Sequence, residues 1–322
     1  MAEIPVARGE DKKLRKKGGR RAAQSELDRF FDIEPLKRYP FQISSPLTAW
    51  NGGSRISTYL AYGIISDREV FQAVDRAVTK AHSQLSEDQF ERFESNARFY
   101  LDRLRWRRNY LQTFEDKPEI EYQYLMPEFE GVRESEFNPA HFKAWTEGRT
   151  GIPYVDAGIR SLNQTGWLNM RLRSTILSFA THNLWIPTFK VAEYLAREFL
   201  DYEPGIHFPI HQLSSGTTPS REIMVYDPIK QGLDHDTEGK FIQRWVPELS
   251  DLPAPAIHSL YPAAGHLSAA AEKYGYAPYP KPIVDYKSTT KLAKDRIQSI
   301  KNGGLVKGKV VSAEGPVQQS LF

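Results

Sequence analysis

Residues 166 to 185 read GWLNMRLRSTILSFATHNLW, a stretch with the apolar content of a buried helix that nevertheless contains two arginines. At 3.6 residues per turn, Arg173 shares a helix face with Met170, Ile176, Leu177 and Ala180. Leaving a buried cation without a partner costs roughly 3 to 5 kcal/mol. The sequence therefore predicts a carboxylate or an anionic ligand beside Arg173. Arg171, about 160° away around the helix, can reach solvent or a phosphate.

The composition limits the class of protein. A chain of 322 residues with 40% hydrophobic residues can bury a sizeable core. No apolar run reaches the length of a membrane span, and MAEIPVARGEDKK at the N-terminus lacks the apolar core of a signal peptide. We therefore expect a cytoplasmic protein, and a monomer. The absence of cysteine excludes disulfides and thiolate chemistry, and the eight histidines are too scattered to predict a metal site.

The net charge of +3 is unevenly distributed along the chain. Residues 1–24 hold eight basic and three acidic residues, which leaves 35 basic and 37 acidic residues elsewhere. The body is therefore slightly acidic, and any nucleic-acid site in it must be a local patch. We expect residues 1–24 to be a disordered basic tail, either a mobile arm that contacts nucleic acid or a solvated terminus.

Hydrophobic periodicity predicts a mainly α-helical domain over residues 25–300, followed by a flexible tail over 301–322. The segment from Gly205 to Pro228 lacks periodicity and is expected to be an ordered loop. The predicted helices are Glu87 to Phe114, Ser66 to His82, Tyr154 to Thr165, Trp167 to Leu184 and Thr188 to Leu200.

Four motifs, in order along the chain, resemble those of the photolyase and cryptochrome family. SRISTYLAYGIIS at 54–66 is similar to the family's TSRLSPYLxFGxLS, and LDRLRWRRNY at 101–110 to its ELxWREF helix. EGRTGIPYVDAGIRSLNQTGWLNMRLR at 147–173 and YDPIKQGLDHDTEGKFIQRWVPEL at 226–249 follow the two most specific motifs. The resemblance implies an all-α fold, the family's helical FAD-binding domain, with the cofactor in a folded conformation facing a DNA-sized opening.

The resemblance also supplies the partner that Arg173 requires. It implies that Arg173 pairs with Asp201 and that both lie against the flavin, where a cation favours the reduced, anionic ring. The alternative is that Arg173 bridges helices without any ligand. The other cofactor contacts implied by the resemblance are Tyr39, Ser54, Arg55, Ile56, Ser57, Arg107, Glu203 and His207.

Some of these residues also have an interpretation that requires no cofactor. Ser54 to Ser57 lie on a turn that enters a helix, where a pyrophosphate is favoured, although the same residues also read as a helix cap. Arg107 would neutralise the pyrophosphate, and Tyr39 would flank it. His207 stands where photolyases usually carry Asn, so it could donate a hydrogen bond or a proton to the flavin and make its redox state pH-dependent. The alternative is a histidine that caps a turn.

The resemblance implies UV-damaged DNA as the partner. Trp106 matches a tryptophan that stacks on the lesion, and Arg171 an arginine that holds its phosphate. Two positions depart from many cyclobutane-dimer photolyases, since Arg103 replaces a glutamate and Met170 an asparagine. We therefore interpret the chain as a light-driven photolyase of pyrimidine dimers. The alternatives are a cryptochrome-like photoreceptor without repair activity and a helical binding module without photochemistry.

Two further features depart from the family pattern. Thr188 and Phe208 stand where tryptophans of the family's electron relay are expected, so Trp185, or tyrosines such as Tyr154 and Tyr226, would have to replace them. Relatives also carry an N-terminal antenna domain, whereas only a short basic segment precedes the helical domain here. A separate antenna subunit is therefore a possible partner.

Overall fold

The computed structural model describes residues 11–220, 222–258, 260 and 279–303, and among these residues it contains helices and no β-strand. This confirms the all-α fold class. In the same residues, no helix has both the length and the hydropathy that crossing a membrane requires. The α-helices are α1 Arg20–Phe30, α2 Ile33–Gln42, α3 Pro46–Gly52, α4 Ser57–Ala61, α5 Asp67–Gln84, α6 Glu87–Asp116, α7 Pro139–Thr146, α8 Pro153–Thr165, α9 Met170–Ser178, α10 Thr188–Glu198, α11 Pro204–Ser214, α12 Pro228–His235, α13 Lys240–Trp245, α14 Ala254–His258 and α15 Tyr286–Lys301. Short 3₁₀ helices occupy Pro118–Glu121, Pro127–Phe129, Glu134–Glu136 and Pro247–Leu249.

The N-terminal half packs around α6, which confirms the long helix predicted from its periodicity. Its buried residues include Phe93, Ala97 and Leu104, spaced so that they share one face. Helices α2 and α5 pack against this face. The start of α5 is fixed by a capping box, in which the Ser66 hydroxyl accepts the Glu69 amide and the Glu69 carboxylate accepts the Ser66 amide.

A second apolar cluster joins α8, α9, α10 and α13. Helix α8 confirms the prediction over residues 154–165, and it ends at Gly166, which has a φ of 68°. This left-handed conformation favours glycine and lets the chain turn sharply into the segment that leads to α9. Helix α11 packs on α6, α9 and α10, and so joins the N-terminal helices to the second cluster.

The helix predicted over Trp167 to Leu184 is only partly correct. The α-helical part is α9, and a π-helix over Phe179–Asn183 follows it. Residues 167 to 169 are not helical because Asn169 is extended and its side-chain amide donates to the carbonyls of Ile43 and Ser44. Met170 is therefore in the first turn, where it is 52% exposed, and does not share the buried surroundings of Ile176 and Leu177.

The loop expected between Gly205 and Pro228 is wrong in its first half, where α11 runs from Pro204 to Ser214. Pro204 stands in the first turn, where its missing N–H is tolerated. Gly205 brings α11 so close to α6 that an added Cβ would lie 2.8 Å from a methyl of Leu111. Tertiary packing on α6 therefore stabilises a helix that the local sequence does not predict.

The basic N-terminal segment is ordered in part, contrary to our expectation. Lys12 pairs with Glu198, the Leu14 amide donates to the Gln164 carbonyl at 3.0 Å, and the Lys16 ammonium donates to the Arg55 carbonyl at 2.7 Å. The boundary expected at residue 24 falls inside α1. These lysines hold the segment against the body, because carboxylates and carbonyls of the body face them. Residues 1–10 and the C-terminal tail from residue 304 lie outside the described residues.

We predict that deleting residues 1–18 lowers the free energy of unfolding by about 2 kcal/mol, because several hydrogen bonds of about 0.5–1.5 kcal/mol each are lost together. Denaturant unfolding of the two chains measures the difference. The control is Arg15→Ala. Its partner Asp11 lies within the segment and both side chains are exposed, so the substitution should change stability by less than about 0.5 kcal/mol. Equal stability of the deletion and the full chain would contradict a structural role for the segment.

Candidate flavin site

The ion pair predicted between Arg173 and Asp201 is present. One terminal nitrogen of Arg173 donates to both carboxylate oxygens of Asp201, at 3.0 and 2.7 Å. The Arg173 Nε donates to the Leu168 carbonyl at 2.9 Å, and the guanidinium lies 4.0 Å from the ring centre of Phe199. The Asp201 side chain is only 4% exposed. The pair is therefore largely withdrawn from water, and each ion depends on the other.

A second ion pair crosses from α6 to the start of α11. The Arg107 guanidinium donates to both oxygens of Glu203 at 2.7 Å and lies 3.5 Å from Asp67. Burial raises the pKa of Glu203, although the adjacent Arg107 opposes the shift. Arg107, which we expected to neutralise a pyrophosphate, therefore has its charge compensated by protein carboxylates in this conformation.

The turn at residues 53 to 57 has the geometry of a strained functional loop. Arg55 has a φ of 50°, a left-handed conformation that is uncommon outside glycine. The Ser54 hydroxyl accepts a 3.1 Å hydrogen bond from Tyr100, whose ring lies 5.0 Å from that of Tyr39. Tyr39 and Ile56, both predicted to contact the cofactor, are buried, at 9% and 2% exposure.

Arg55 is a cation that lacks a carboxylate partner among the described residues. Its guanidinium lies 3.7 Å from the ring centre of Trp50 and 4.5 Å from that of Trp167, and its Nε is buried without a hydrogen bond. Burial lowers the pKa of Arg55 to about 10. A half-buried cation that forms no ion pair with the described residues and lies beside two serines fits an anionic group, as the predicted pyrophosphate site requires.

His207 is buried and stacks on His211, one helical turn further along α11, with ring centres 3.9 Å apart. The His207 Nε2 donates to the Ala192 carbonyl at 2.8 Å, and burial lowers the pKa of His207 to about 4. In this neutral tautomer the other nitrogen carries no hydrogen. His207 therefore offers a hydrogen-bond acceptor at neutral pH and not the donor that we expected.

Sequence reasoning missed His211. Its Nδ1 donates to the His207 carbonyl at 2.6 Å, which leaves its buried Nε2 as an acceptor without a partner. The two histidines of HFPIH are four residues apart, a spacing that places them on one face if the segment is a helix. Because α11 was expected to be a loop, the two histidines were not placed on one face.

We predict that acid destabilises the protein through these histidines. A folded pKa of about 4 for His207 lies below the unfolded value of about 6.5, so the stability due to its neutral form is present above pH 6.5 and lost as the pH falls toward 4. His207→Asn should flatten the loss of stability between pH 6.5 and 4, measured by denaturant unfolding at several pH values. His82→Asn, a change at an exposed histidine of α5, is the control, and an equal response of both variants would contradict the assignment.

The ion pairs and histidines meet at a small cavity of about 40 Å³, lined by Met170, Arg173, Asp201, Glu203, His207 and His211 among others. This volume is smaller than the roughly 300–1,000 Å³ of a site for a drug-sized ligand. We therefore expect the Arg107 and Glu203 pair, at the boundary between α6 and α11, to move when a flavin binds. A larger cavity elsewhere contains none of these residues, and the chemistry of the donors, not volume, identifies the flavin site.

The residues expected to contact DNA lie on the surface, and one of them, Met170, lines this cavity. Trp106 is 52% exposed and follows Arg105 on α6, next to Arg107. Arg103 is exposed over the ring of Phe99, and Arg171 is exposed with its guanidinium 5.8 Å from the ring centre of Tyr226. Exposed aromatic and basic side chains beside a cofactor site suit a stacked base and a phosphate.

The positions expected to relay electrons are buried in a different environment. Thr188 accepts a hydrogen bond from Arg133, a fully buried arginine that sequence reasoning missed. Arg133 also donates to the carbonyls of Thr181 and Ser215. Trp185 lies between the guanidinium groups of Arg133 and Arg296, which are 4.7 and 5.0 Å from its ring. Two cations beside the indole disfavour a positive charge on it.

Comparison with known proteins identifies the family. Residues 100–299 match the sequence profile of the FAD binding domain of DNA photolyase. The chain is 31% identical over 241 residues to the deoxyribodipyrimidine photo-lyase of Escherichia coli, covering 74% of this chain and 48% of that protein. It thus spans about half the length of the curated relatives it matches.

Two solved structures are similar to the fold. A photolyase from Sulfolobus tokodaii, described as containing two FAD molecules, is 30% identical with a TM-score of 0.67, over 88% of this chain and 56% of that chain. A Synechocystis cryptochrome is 25% identical with a TM-score of 0.76, over the same shares. The fold and the ion-paired site thus define a helical flavin-binding domain. The chain belongs to the photolyase and cryptochrome family, and its cofactor is FAD.

Proposed function

We propose that this protein is a light-driven photolyase that reverses UV-induced pyrimidine dimers in DNA. The observation that carries the proposal is Trp106, a large aromatic side chain that is 52% exposed and adjoins Arg107, whose partner Glu203 lines the flavin cavity. Its indole is therefore accessible to a ligand. An unpaired, damaged base could stack on its indole. The match to named photolyases over about half their length supports the same reaction.

The residues of this chain divide into three roles in the proposal. Bound FAD supplies an electron when excited by light in its reduced form. Arg173 places a positive charge against the flavin, and Asp201 fixes its position. Ser54, Arg55 and Ser57 hold the pyrophosphate at the strained turn. Trp106 orients the lesion, while Arg103 and Arg171 bind the flanking phosphates.

A cryptochrome-like photoreceptor is the second candidate function. It is favoured by Arg103 and Met170, which replace the glutamate and asparagine of many cyclobutane-dimer photolyases. A cation in place of a carboxylate removes an acceptor for the N–H groups of the lesion. The similarity to a Synechocystis cryptochrome is consistent with this alternative.

The first test of the proposal is selective binding of damaged DNA. Since extruding a base costs least where pairing is already weakened, the protein should bind a dimer-containing duplex more tightly than the intact duplex. Fluorescence anisotropy at physiological salt measures both affinities. Equal affinity for the two duplexes would exclude a lesion pocket, whereas a preference for the dimer supports it.

We also predict that Trp185 does not carry electrons to the flavin, because Arg133 and Arg296 flank its ring. Blue-light photoreduction with an external thiol donor should proceed at the same rate in the wild type and in Trp185→Phe, monitored by flavin absorbance. The control is Trp145→Phe, a buried tryptophan that lines neither cavity. A rate that falls at least tenfold only in Trp185→Phe would show that Trp185 lies on the path.

A further inference from the structure

A second cavity, of about 250 Å³, lies between α3, the junction of α8 and α9, and α13. Three of the six tryptophans in the chain line it, namely Trp50, Trp167 and Trp245. It shares no lining residue with the flavin cavity, and none of the described residues that line it is acidic. The cavity adjoins Arg55, which we assign to the pyrophosphate end of the flavin site. None of the residues that line the cavity has been assigned to the flavin, so the cavity requires its own explanation.

Two of the indoles are held in fixed positions. The rings of Trp50 and Trp167 meet at 74° with their centres 6.0 Å apart, and Arg55 packs against both. Each of the three indoles is only half buried. The walls are therefore ordered before any ligand enters, which lowers the entropy cost of stacking a planar ring against them.

Polar groups occur at the wall and at the rim. Asn169 is 5% exposed and donates to the carbonyls of Ile43 and Ser44, but its Oδ1 is buried with no donor. Arg244 is exposed at the rim, 5.3 Å from the ring centre of Trp245, and makes no ion pair with the described residues. The cavity thus combines aromatic walls with a cation that makes no ion pair with the described residues.

The volume limits the size of the ligand. Sites for drug-sized ligands occupy about 300–1,000 Å³, so a cavity of about 250 Å³ holds one planar ring system and little more. A nucleobase presents a flat face that can stack on the tryptophans, and the phosphate of its nucleotide matches an arginine.

We propose that this cavity binds a single unpaired nucleotide. The base stacks on the tryptophans, and the phosphate lies at Arg244. A free nucleotide and a nucleotide within single-stranded DNA share this chemistry. The proposal goes beyond repair, because it requires neither light nor a lesion, and it can hold even if the repair proposal fails.

The test uses the flavin-loaded full chain and calorimetric titration with two probes, dAMP and an undamaged oligonucleotide of six thymidines. Leu47→Trp fills the cavity from a half-buried position on its wall, and should weaken binding by about tenfold or more, as loss of base stacking does.

Arg244→Glu, at an exposed residue, should lower the salt dependence of oligonucleotide binding by about one phosphate contact. Arg76→Glu, an equal charge change at an exposed arginine of α5, is the control. Retained flavin absorbance and melting temperature show that each variant folds.

Both probes distinguish the source of the nucleotide. Equal affinity for dAMP and for the oligonucleotide, lost in Leu47→Trp, assigns a free-nucleotide site. Much tighter binding of the oligonucleotide, also lost in Leu47→Trp, assigns a strand contact. The proposal is overturned if neither probe binds at millimolar concentration, or if Leu47→Trp binds both as tightly as the wild type does.

Discussion

Asp201→Ala should lower the free energy of unfolding by about 3 kcal/mol, at the lower end of the range for breaking a buried ion pair. The expectation follows from geometry, because Asp201 accepts both hydrogen bonds from one nitrogen of Arg173 and is 4% exposed. Without Asp201, the Arg173 guanidinium retains only its contacts with the Leu168 carbonyl and the face of Phe199. Denaturant unfolding of the flavin-free chain measures the loss.

The same variant should also retain less FAD, since the uncompensated arginine will shift from its place in the site. Flavin absorbance after gel filtration measures retention. Asp234→Ala is the matched control, because it breaks the exposed pair with Lys230 and should cost less than about 0.5 kcal/mol. A variant at Asp201 with wild-type stability and full flavin retention would exclude the pair as part of the cofactor site.

Trp106→Ala should weaken binding of a dimer-containing single strand by on the order of tenfold, since each stacked base contributes about 1–3 kcal/mol. Stability should change by no more than about 0.5 kcal/mol, because the side chain is 52% exposed. Fluorescence anisotropy with the dimer-containing strand measures the affinity. Flavin retention should be unchanged.

The control for this variant is Tyr122→Ala. Tyr122 is 66% exposed and lines neither cavity, so its removal should leave the affinity unchanged. A tenfold loss in both variants would indicate a general effect on the surface. Unchanged affinity in Trp106→Ala would remove the stacking residue from the proposal.

The sequence predicts the pair of Arg173 and Asp201 because a buried cation must be compensated, and family motifs name the carboxylate. It predicts α6 and α8 because their periodicity and end signals agree. It does not predict α11, where Pro204 and Gly205 weaken local helix propensity and packing on α6 compensates. His211 was missed for the same reason.

Ion pairs between residues that are distant in the sequence could not be predicted either. Arg107 and Glu203 are 96 residues apart, and no local pattern shows that they bind each other. Arg133 follows a short 3₁₀ helix in a segment rich in acidic residues, yet it is fully buried among carbonyls. The basic residues at 12 and 16 looked like a solvated tail because their partners, Glu198 and the Arg55 carbonyl, are distant in sequence.

The proposed reaction is tested most directly by the recovery of intact thymines from a single-stranded oligonucleotide that contains one thymine dimer. The flavin-loaded, chemically reduced protein is mixed with the oligonucleotide, and chromatography counts dimers after blue light and after an equal time in the dark. We predict loss of the dimer in light alone, with more than one dimer reversed per protein molecule. Dimers that persist in the light, while the flavin is reduced and reoxidised normally, would contradict repair and favour the photoreceptor.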